Sequence, residues 1–478
     1  MFTLDCLRKS TCSESTTPFV DSLPVQWSRC YSSGTWTVPS HVSLFSGQDV
    51  VDHDCARTGD TLPPQRATLP RTASDHGYST AIFSENPSFS ARTGFHHEVD
   101  TVHDDIQSKL RFSEFSPSGY LTDPSPRTLL SLAGGLLSRP RRVPNALNTV
   151  YAAYRRFAGA DPSYPHHGRR VVSHLNTYLR EQSGPTLTVT NLLDPHNPYY
   201  GTPPGVGNDH TDEEREALRL AGTNLLYLLT NEEPPRAVRE GYGDWERFYR
   251  AKAELYRLFA REGDRVLQRW ARDTAAFRDS LVVVLGDHGQ LFGADGMVGH
   301  HTSLHPHGIH VPLAVDPPAD WDRGDRSITA PVSIAGVGSA LTGVAAGEIT
   351  TTEQLVTAIG ADSRGPTGRV TACVDGPTLS LPPLYENSRF DDGRIDELAV
   401  RKVASIGPDH VDVYRCPWER TDIEATAYTY GPDERSLTPD RETPPPPERV
   451  ASWLTRQHDP TATAERQVDA RLEALGYR

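Results

Sequence analysis

The residues best placed to do chemistry lie in one stretch, where Leu281-Val-Val-Val-Leu-Gly286 runs into Asp287-His288-Gly289. A glycine-broken loop follows, then Gly299-His300-His301 and His310-Val311-Pro312-Leu313. An aspartate and a neutral imidazole are good ligands for a divalent cation, and adjacent residues can turn to one ion where a strand ends. Five more histidines follow the pair: His300, His301, His305, His307 and His310. The apolar run before Asp287 reads as a strand buried on both faces, as in a parallel sheet. Open α/β sheets bind ligands beyond the carboxyl ends of such strands. Standing alone, Asp-His-Gly is more often a polar turn capping a core strand.

Other positions decide between these readings. Met1-Phe-Thr-Leu4 is a short apolar strand with Asp5-Cys6-Leu7-Arg8 at its end. A lone Asp there is either a helix N-cap or a further carboxylate for a cation. Tyr31–Gly47 contains Thr37-Val38-Pro39-Ser40-His41. It sets the Thr37 hydroxyl at a helix start, where free N–H groups and the helix dipole favour a developing anion. Pro39 pre-sets the first turn; the plainer alternative is a Ser/Thr cap before an amphipathic helix. Thr186–Leu193 reads as a strand ending in Asp194-Pro195-His196-Asn197-Pro198-Tyr199, where His196 is a turn residue or a general acid.

Taken in order, these blocks resemble the sulfatase family of the alkaline phosphatase superfamily. In that family an apolar strand ends in DHG or DNG, and a Gly-rich loop, a GH and a strand reading VPL follow. The first strand ends in Asp, often as D-x-x-R, which Asp5–Arg8 matches. Thr37–Gly47 resembles the nucleophile elbow C/S-x-P-S-R-x-x-x-x-T-G. Thr17–Leu23 is similar to TPNLDSLA, and Gln48–Asp54 to G-x-x-P-x-x-H-G, with His53 in a local role. Gly77–Thr80 is similar to GY-x-T, the turn at His196 to H-x-P-Y, and Tyr256 and Asp264 to the scaffold helix before the DHG strand.

The resemblance implies an α/β fold, an alkaline-phosphatase-like three-layer sandwich with a mainly parallel central sheet. It implies one divalent metal ion (Ca, Mg, Mn or Zn) held by Asp5, Thr37, Asp287 and His288. Thr37 would be the nucleophile, and His196 or His300 would protonate the leaving oxygen. His41, His301 and Asn86 would contact the substrate, a sulfated or phosphorylated small molecule or glycan. Asp194 with His196 is an alternative second metal pair, at a spacing unlike that of dimetal members.

The departures are informative. Cys6 stands where sulfatases carry a second Asp, which implies one fewer oxygen ligand. Thr37 stands where Cys or Ser becomes formylglycine; Thr cannot yield that aldehyde, so a directly acting hydroxyl is implied, as in the superfamily's phosphoesterases and phosphotransferases. His41 replaces the motif's Arg, and Ser84-Glu85-Asn86-Pro87 replaces the Lys and His that grip sulfate. Hydrolysis of sulfate or phosphate esters is the first reading. A transferase moving a phosphoryl-alcohol group onto a glycan or lipid, and a non-catalytic binding protein, are the alternatives.

The elements that must hold these groups are legible in outline. Leu69–Phe83 reads as helix, turn and strand, and Val171–Arg180 as an amphipathic helix. Residues 210–278 carry two long helices; the second, Asp244–Arg269, keeps Phe248, Leu255, Leu258, Phe259, Val266 and Leu267 at three- and four-residue intervals. Ser327–Ser333 is a short strand, and a helix follows at Thr352–Ile359. Leu398–Tyr430 alternates in places as a small antiparallel sheet. Pro444–Pro447 is a stiff linker into a terminal helix ending at Arg471–Tyr477. This divides the chain into a catalytic domain, 1–378, with a Leu/Ala/Arg-rich helical insert at about 127–182, and a small C-terminal α+β subdomain, 379–478.

At 478 residues the chain is long enough for such a pair. Sixty-two acids against 48 bases give a net charge of −14, which argues against nucleic acid or an anionic membrane as partner. Only four of the bases are lysine (Lys9, Lys109, Lys252, Lys402), as in salt-adapted proteins whose surface repulsion is screened. The six cysteines form no CxxC and read as reduced and structural. No 18-residue apolar run and no signal peptide are present, so a cytoplasmic location is expected. The strand before Asp5 is short for a central one; a start placed too late would hide an upstream leader. Oligomeric state has no signature.

Overall fold

The computed structural model describes residues 1–104, 167–199, 211, 244–375 and 400–456, short gaps within these ranges apart. The expected helices at 127–160 and 210–243, the start of the C-terminal subdomain, the 471–477 segment and His301 lie outside the described residues.

The first half carries β1 (Phe2–Leu4), α1 (Pro18–Asp21), β2 (Val25–Tyr31), α2 (Thr37–Ser46), α3 (Val50–His53), α4 (Leu69–Asp75), β3 (Ser79–Phe83), β4 (Thr101–His103), α5 (His167–Glu181) and β5 (Thr186–Leu192). Then come α6 (Trp245–Asp273), β6 (Val282–Gly286), a hairpin of β7 (Leu291–Phe292) and β8 (Val298–Gly299), α7 (Pro306–Ile309), β9 (His310–Asp316), β10 (Arg326–Ile328), β11 (Val332–Ser333), α8 (Ile334–Ala345) and α9 (Thr352–Asp362). The chain continues with β12 (Val370–Asp375), β13 (Val400–Ile406), β14 (Val411–Pro417), β15 (Glu424–Tyr430), β16 (Arg435–Leu437) and α10 (Glu448–Leu454).

The central sheet runs β10-β2-β9-β6-β1-β5-β3-β4, with β11 also on β2. Strand β9 is antiparallel to both its neighbours, β2 and β6. The remaining pairings are parallel. Pleating explains why β6 is apolar throughout: successive side chains point to opposite faces. Val282 and Val284 join Phe2, Leu4 and Leu192 against Leu255, Phe259 and Val266 of α6. Val283 and Leu285 join Leu313 and Val315 against Val337, Leu341 and Ile359 of α8 and α9. Both faces are covered, giving the three-layer sandwich.

Helix α6 starts where Asp244 accepts a hydrogen bond from Arg247 N–H at 2.8 Å. Its buried face includes Phe248, Leu255, Leu258, Phe259, Val266 and Leu267, the set the spacing predicts. Among the described residues, no helix is long and apolar enough to cross a membrane.

The second sheet is antiparallel, in the order β12-β13-β14-β15-β16, with Trp453 of α10 buried beside it. Its first strand, β12, lies ahead of the boundary expected at 378 and pairs Val370 with Ile406. All six residues of β12 are buried, so it has no polar alternation and reads locally like any core strand. Cys373 N–H bonds to Ser33 C=O at 2.8 Å, tying this sheet to the loop before Thr37.

Candidate metal and catalytic centre

Strands β1, β2, β3, β5 and β6 are parallel, so their carboxyl ends share one edge of the sheet. Reversed β9 starts at that edge instead of ending there. One rim therefore receives Asp5, the loop to Thr37, Ser84–Asn86, Leu193–His196, Asp287–His288 and the histidines before β9. This is where an open α/β sheet binds its ligand.

Asp287 is fully engaged on one side. Its Oδ1 accepts from Cys6 N–H at 3.1 Å and His288 N–H at 2.9 Å. Its Oδ2 is buried without a hydrogen bond, 3.5 Å from His288 Nε2. His288 donates Nδ1–H to Gly289 C=O at 3.0 Å, which leaves the Nε2 lone pair bare. That Nε2 lies 3.6 Å from Asp5 Oδ1 and is buried without a hydrogen bond. Burial lowers the His288 pKa to about 4, so the ring is neutral.

Asp5 is the supported carboxylate of the pair. Its Oδ2 accepts from Asn86 Nδ2 at 2.6 Å and Asn191 Nδ2 at 3.2 Å. Burial alone would raise its pKa, but His196, His288, the Asn86 amide and His41 together pull it below the ordinary value. Asp287 goes the other way, pushed well up by burial first and the Asp5 charge second. Asp5, Asp287 and His288 each offer a ligand atom within 4.8 Å of the others. Buried acceptors without partners are costly. Oxygen and imidazole atoms aimed at one point remove that cost when a cation sits between them, so the residues present fit a divalent ion.

Thr37 opens α2 behind an extended Trp36. Its Oγ1 accepts from Asn86 Nδ2 at 3.1 Å. The Asn86 amide is thus shared between the hydroxyl and Asp5. His41 is placed differently from the expected substrate contact. It is fully buried, stacked on Phe89 at 4.0 Å, with Nδ1–H on Thr37 C=O at 2.9 Å and Nε2 3.3 Å from Thr3 Oγ1. Burial lowers its pKa to about 4. His41 therefore props the first turn of α2 from beneath, and no face of its ring is open to a substrate.

His196 is half-buried, its ring 5.3 Å from that of His300. His300 directs Nδ1–H to Gln290 Oε1 at 2.9 Å, and its ring lies 4.6 Å from that of His288. The structure thus brings Asp5, Thr37, Asn86, His196, Asp287, His288 and His300 to one rim and sets His41 below it.

Several further residues hold this rim in place. Asn191, opposite Thr3 in the sheet, holds Asp5; an amide inside a buried strand was its only signal. Tyr256 O–H donates to Cys6 C=O at 2.8 Å and accepts from Arg8 N–H at 2.9 Å. Asp264 accepts from Phe19 N–H at 3.1 Å and Val20 N–H at 2.9 Å, holding α1 against α6. A Cβ on Gly289 would lie 1.9 Å from His307 C=O, which is why a glycine follows His288.

The family model for Sulfatase matches residues 13–347. No curated protein matches the sequence. Among solved structures, the phosphonate monoester hydrolase of Agrobacterium radiobacter is similar at TM-score 0.57 and 16% identity, over 99% of this chain and 95% of that one. The phosphonate monoester hydrolase of Silicibacter pomeroyi matches at TM-score 0.55 and 15% identity, over 99% and 94%. A 2-O GAG sulfatase matches at TM-score 0.51 and 13% identity, over 99% and 91%. At these identities the structural likenesses speak for the fold.

Proposed function

Since the chain belongs to the sulfatase family, and is a sulfate- or phosphate-ester hydrolase of that kind, we propose that Thr37 is its nucleophile and that one divalent cation sits at Asp5, Asp287 and His288. The observation that carries this reading is the Asn86 amide, shared between Thr37 Oγ1 and Asp5 Oδ2. It couples a hydroxyl at a helix start to a carboxylate facing two buried, hydrogen-bond-free ligand atoms.

When bound, the cation supplies positive charge that polarises a non-bridging substrate oxygen and favours ionisation of a nearby hydroxyl. Thr37 Oγ1 gives its proton to solvent and attacks sulfur or phosphorus, forming a covalent ester as the bond to the leaving oxygen breaks. The free N–H groups of the first turn of α2 face the charge that develops. His196, or His300 with its ring protonated at both nitrogens, gives the leaving oxygen its proton. Water then attacks the threonine ester and releases sulfate or phosphate, and Thr37 recovers its proton. Asn86 keeps the hydroxyl aimed throughout. The substrate class is a sulfated or phosphorylated small molecule or glycan.

The test is to purify the chain in high salt, measure its metal, and assay nitrophenyl sulfate, phosphate and phosphodiester beside Thr37→Ala. Expected are one ion per chain and turnover that falls on the order of 10⁴–10⁶-fold in the variant. Turnover indifferent to Thr37 rejects the nucleophile; a chain that binds no ion rejects the centre.

A further inference from the structure

Cys6 is more tightly constrained than a buried thiol needs to be. Its φ of +65° lies in the left-handed region, which non-glycine residues rarely adopt. Its N–H is held by Asp287 Oδ1 and its C=O by the Tyr256 hydroxyl. The direction of the side chain is therefore set by the same contacts that build the metal centre.

The sulfur sits at that centre. Cys6 Sγ is 3.4 Å from Asp5 Oδ1 and 3.8 Å from His300 Nδ1. Asp5 Oδ1 is in turn 3.6 Å from His288 Nε2, which is 3.5 Å from Asp287 Oδ2. The 3.4 Å from Sγ to Asp5 Oδ1 and the 3.6 Å from that oxygen to His288 Nε2 each suit a pair of atoms that would share one Zn²⁺-class ion at roughly 2.0–2.3 Å. Cys6 also shares one compact group of ligand atoms with His288 and His300, and another with Asp5 and His196. The second observation is His288 Nε2, fully buried, without a hydrogen bond and 3.6 Å from the same Asp5 Oδ1.

We propose that Cys6 Sγ is a direct ligand of the ion at this centre, and that the centre therefore takes a thiophilic cation of the Zn²⁺ class in preference to Mg²⁺ or Ca²⁺. This rests on the metal centre proposed above and says which ion it selects. Mg²⁺ and Ca²⁺ take oxygen donors, whereas thiolate and imidazole suit Zn²⁺. As the sulfur–metal bond forms, the S–H bond breaks and its proton passes to solvent; Asp5 Oδ1, which already accepts the thiol hydrogen bond, is the first acceptor.

The experiment loads the full-length chain with Co²⁺ and records the near-ultraviolet spectrum, then titrates Zn²⁺, Mg²⁺ and Ca²⁺ against it. One Co²⁺ per chain with a thiolate-to-cobalt charge-transfer band is expected, displaced by Zn²⁺ and not by excess Mg²⁺ or Ca²⁺. Cys6→Ser should lose the band and bind Zn²⁺ at least ~100-fold more weakly, since losing even an outer-shell partner costs about 10–100-fold. Cys6→Asp should bring Mg²⁺ or Ca²⁺ into competition. One Co²⁺ bound without the band overturns the inference and leaves the metal centre standing, and so does a band that survives in Cys6→Ser. Wild-type protein that binds no metal overturns both. The band is read on the unmodified chain, so a variant that fails to fold does not decide the matter.

Discussion

Asn86→Ala cuts two hydrogen bonds at once, and their lengths set the expected loss. The bond to Asp5 Oδ2, 2.6 Å, is charge-assisted and worth about 1.5–3 kcal/mol; the bond to Thr37 Oγ1, 3.1 Å, is neutral and worth about 0.5–1.5 kcal/mol. Together they amount to about 2–4.5 kcal/mol, or roughly 30- to 1600-fold in kcat/KM at ~1.4 kcal/mol per tenfold. Asn191 still donates to Asp5, so the carboxylate is not left bare and the lower half of that range is the better guide. An amide that aims the nucleophile, without gripping the substrate, puts the loss in kcat and leaves KM nearly unchanged. The assay is steady-state kinetics on the best nitrophenyl ester, with metal affinity by calorimetry and a melting curve to confirm folding. A folded Asn86→Ala within about threefold of wild type in kcat/KM, or a loss confined to KM, would refute the reasoning. Asn86→Asp sharpens the test, because two carboxylates so close cannot both ionise and must share a proton. Its activity should therefore recover as pH falls.

Tyr256→Phe removes the donor to Cys6 C=O and the acceptor of Arg8 N–H, so urea unfolding should show a loss of about 1–3 kcal/mol. Metal affinity should fall with it; unchanged stability and affinity would show that the loop from Asp5 to Arg8 holds itself. Gly289→Ala drives a Cβ into the His307 carbonyl, so soluble yield or Tm should drop sharply, and a variant with the wild-type Tm would contradict the close approach. Glu262 has a pKa raised from 4.5 to about 7, chiefly by burial, with Arg169 opposing the shift. A pKa raised on folding contributes stability that is present below pH 4.5 and lost as pH rises through about 7. Glu262→Gln should flatten the decline in urea midpoint across that window; parallel declines in both proteins would show that another group causes it.

The parts of the chain that could be read locally were those where one short stretch carries both the element and the chemistry. Leu281–His288 announced its strand by its β-branched run and its ligands by position, and α6 announced its buried face by spacing. Groups recruited across the sheet could not be read in this way. Asn86 was noticed only because it stood where a cationic clamp was expected, and its link to Asp5 and Thr37 depends on β3 and β1 being two strands apart. Asn191 became visible only through its register with Thr3. His41 looked available because it followed the elbow motif, yet helix periodicity turned it inward onto Phe89. Strand β12 carries no local trace of which sheet it completes, because all six of its residues are buried.

Strand β1 is three residues long and lies between β5 and β6. Asp5 meets Asn191 across 186 positions of sequence, and Cys6 meets Asp287 across 281. Contacts this remote close large loops before they return any energy, and they slow folding. On a ribosome adding ~5–20 residues per second, the first strand waits tens of seconds for its second neighbour. Until then it presents unpaired backbone to any other strand in reach. The centre cannot form in a fragment or a partly folded lobe, because its ligands come from the two ends of a loop that spans 281 positions of sequence. Retention of an ion at Asp5 and Asp287 would thus report that the whole topology has closed, and an ion supplied early in refolding would have nowhere native to bind.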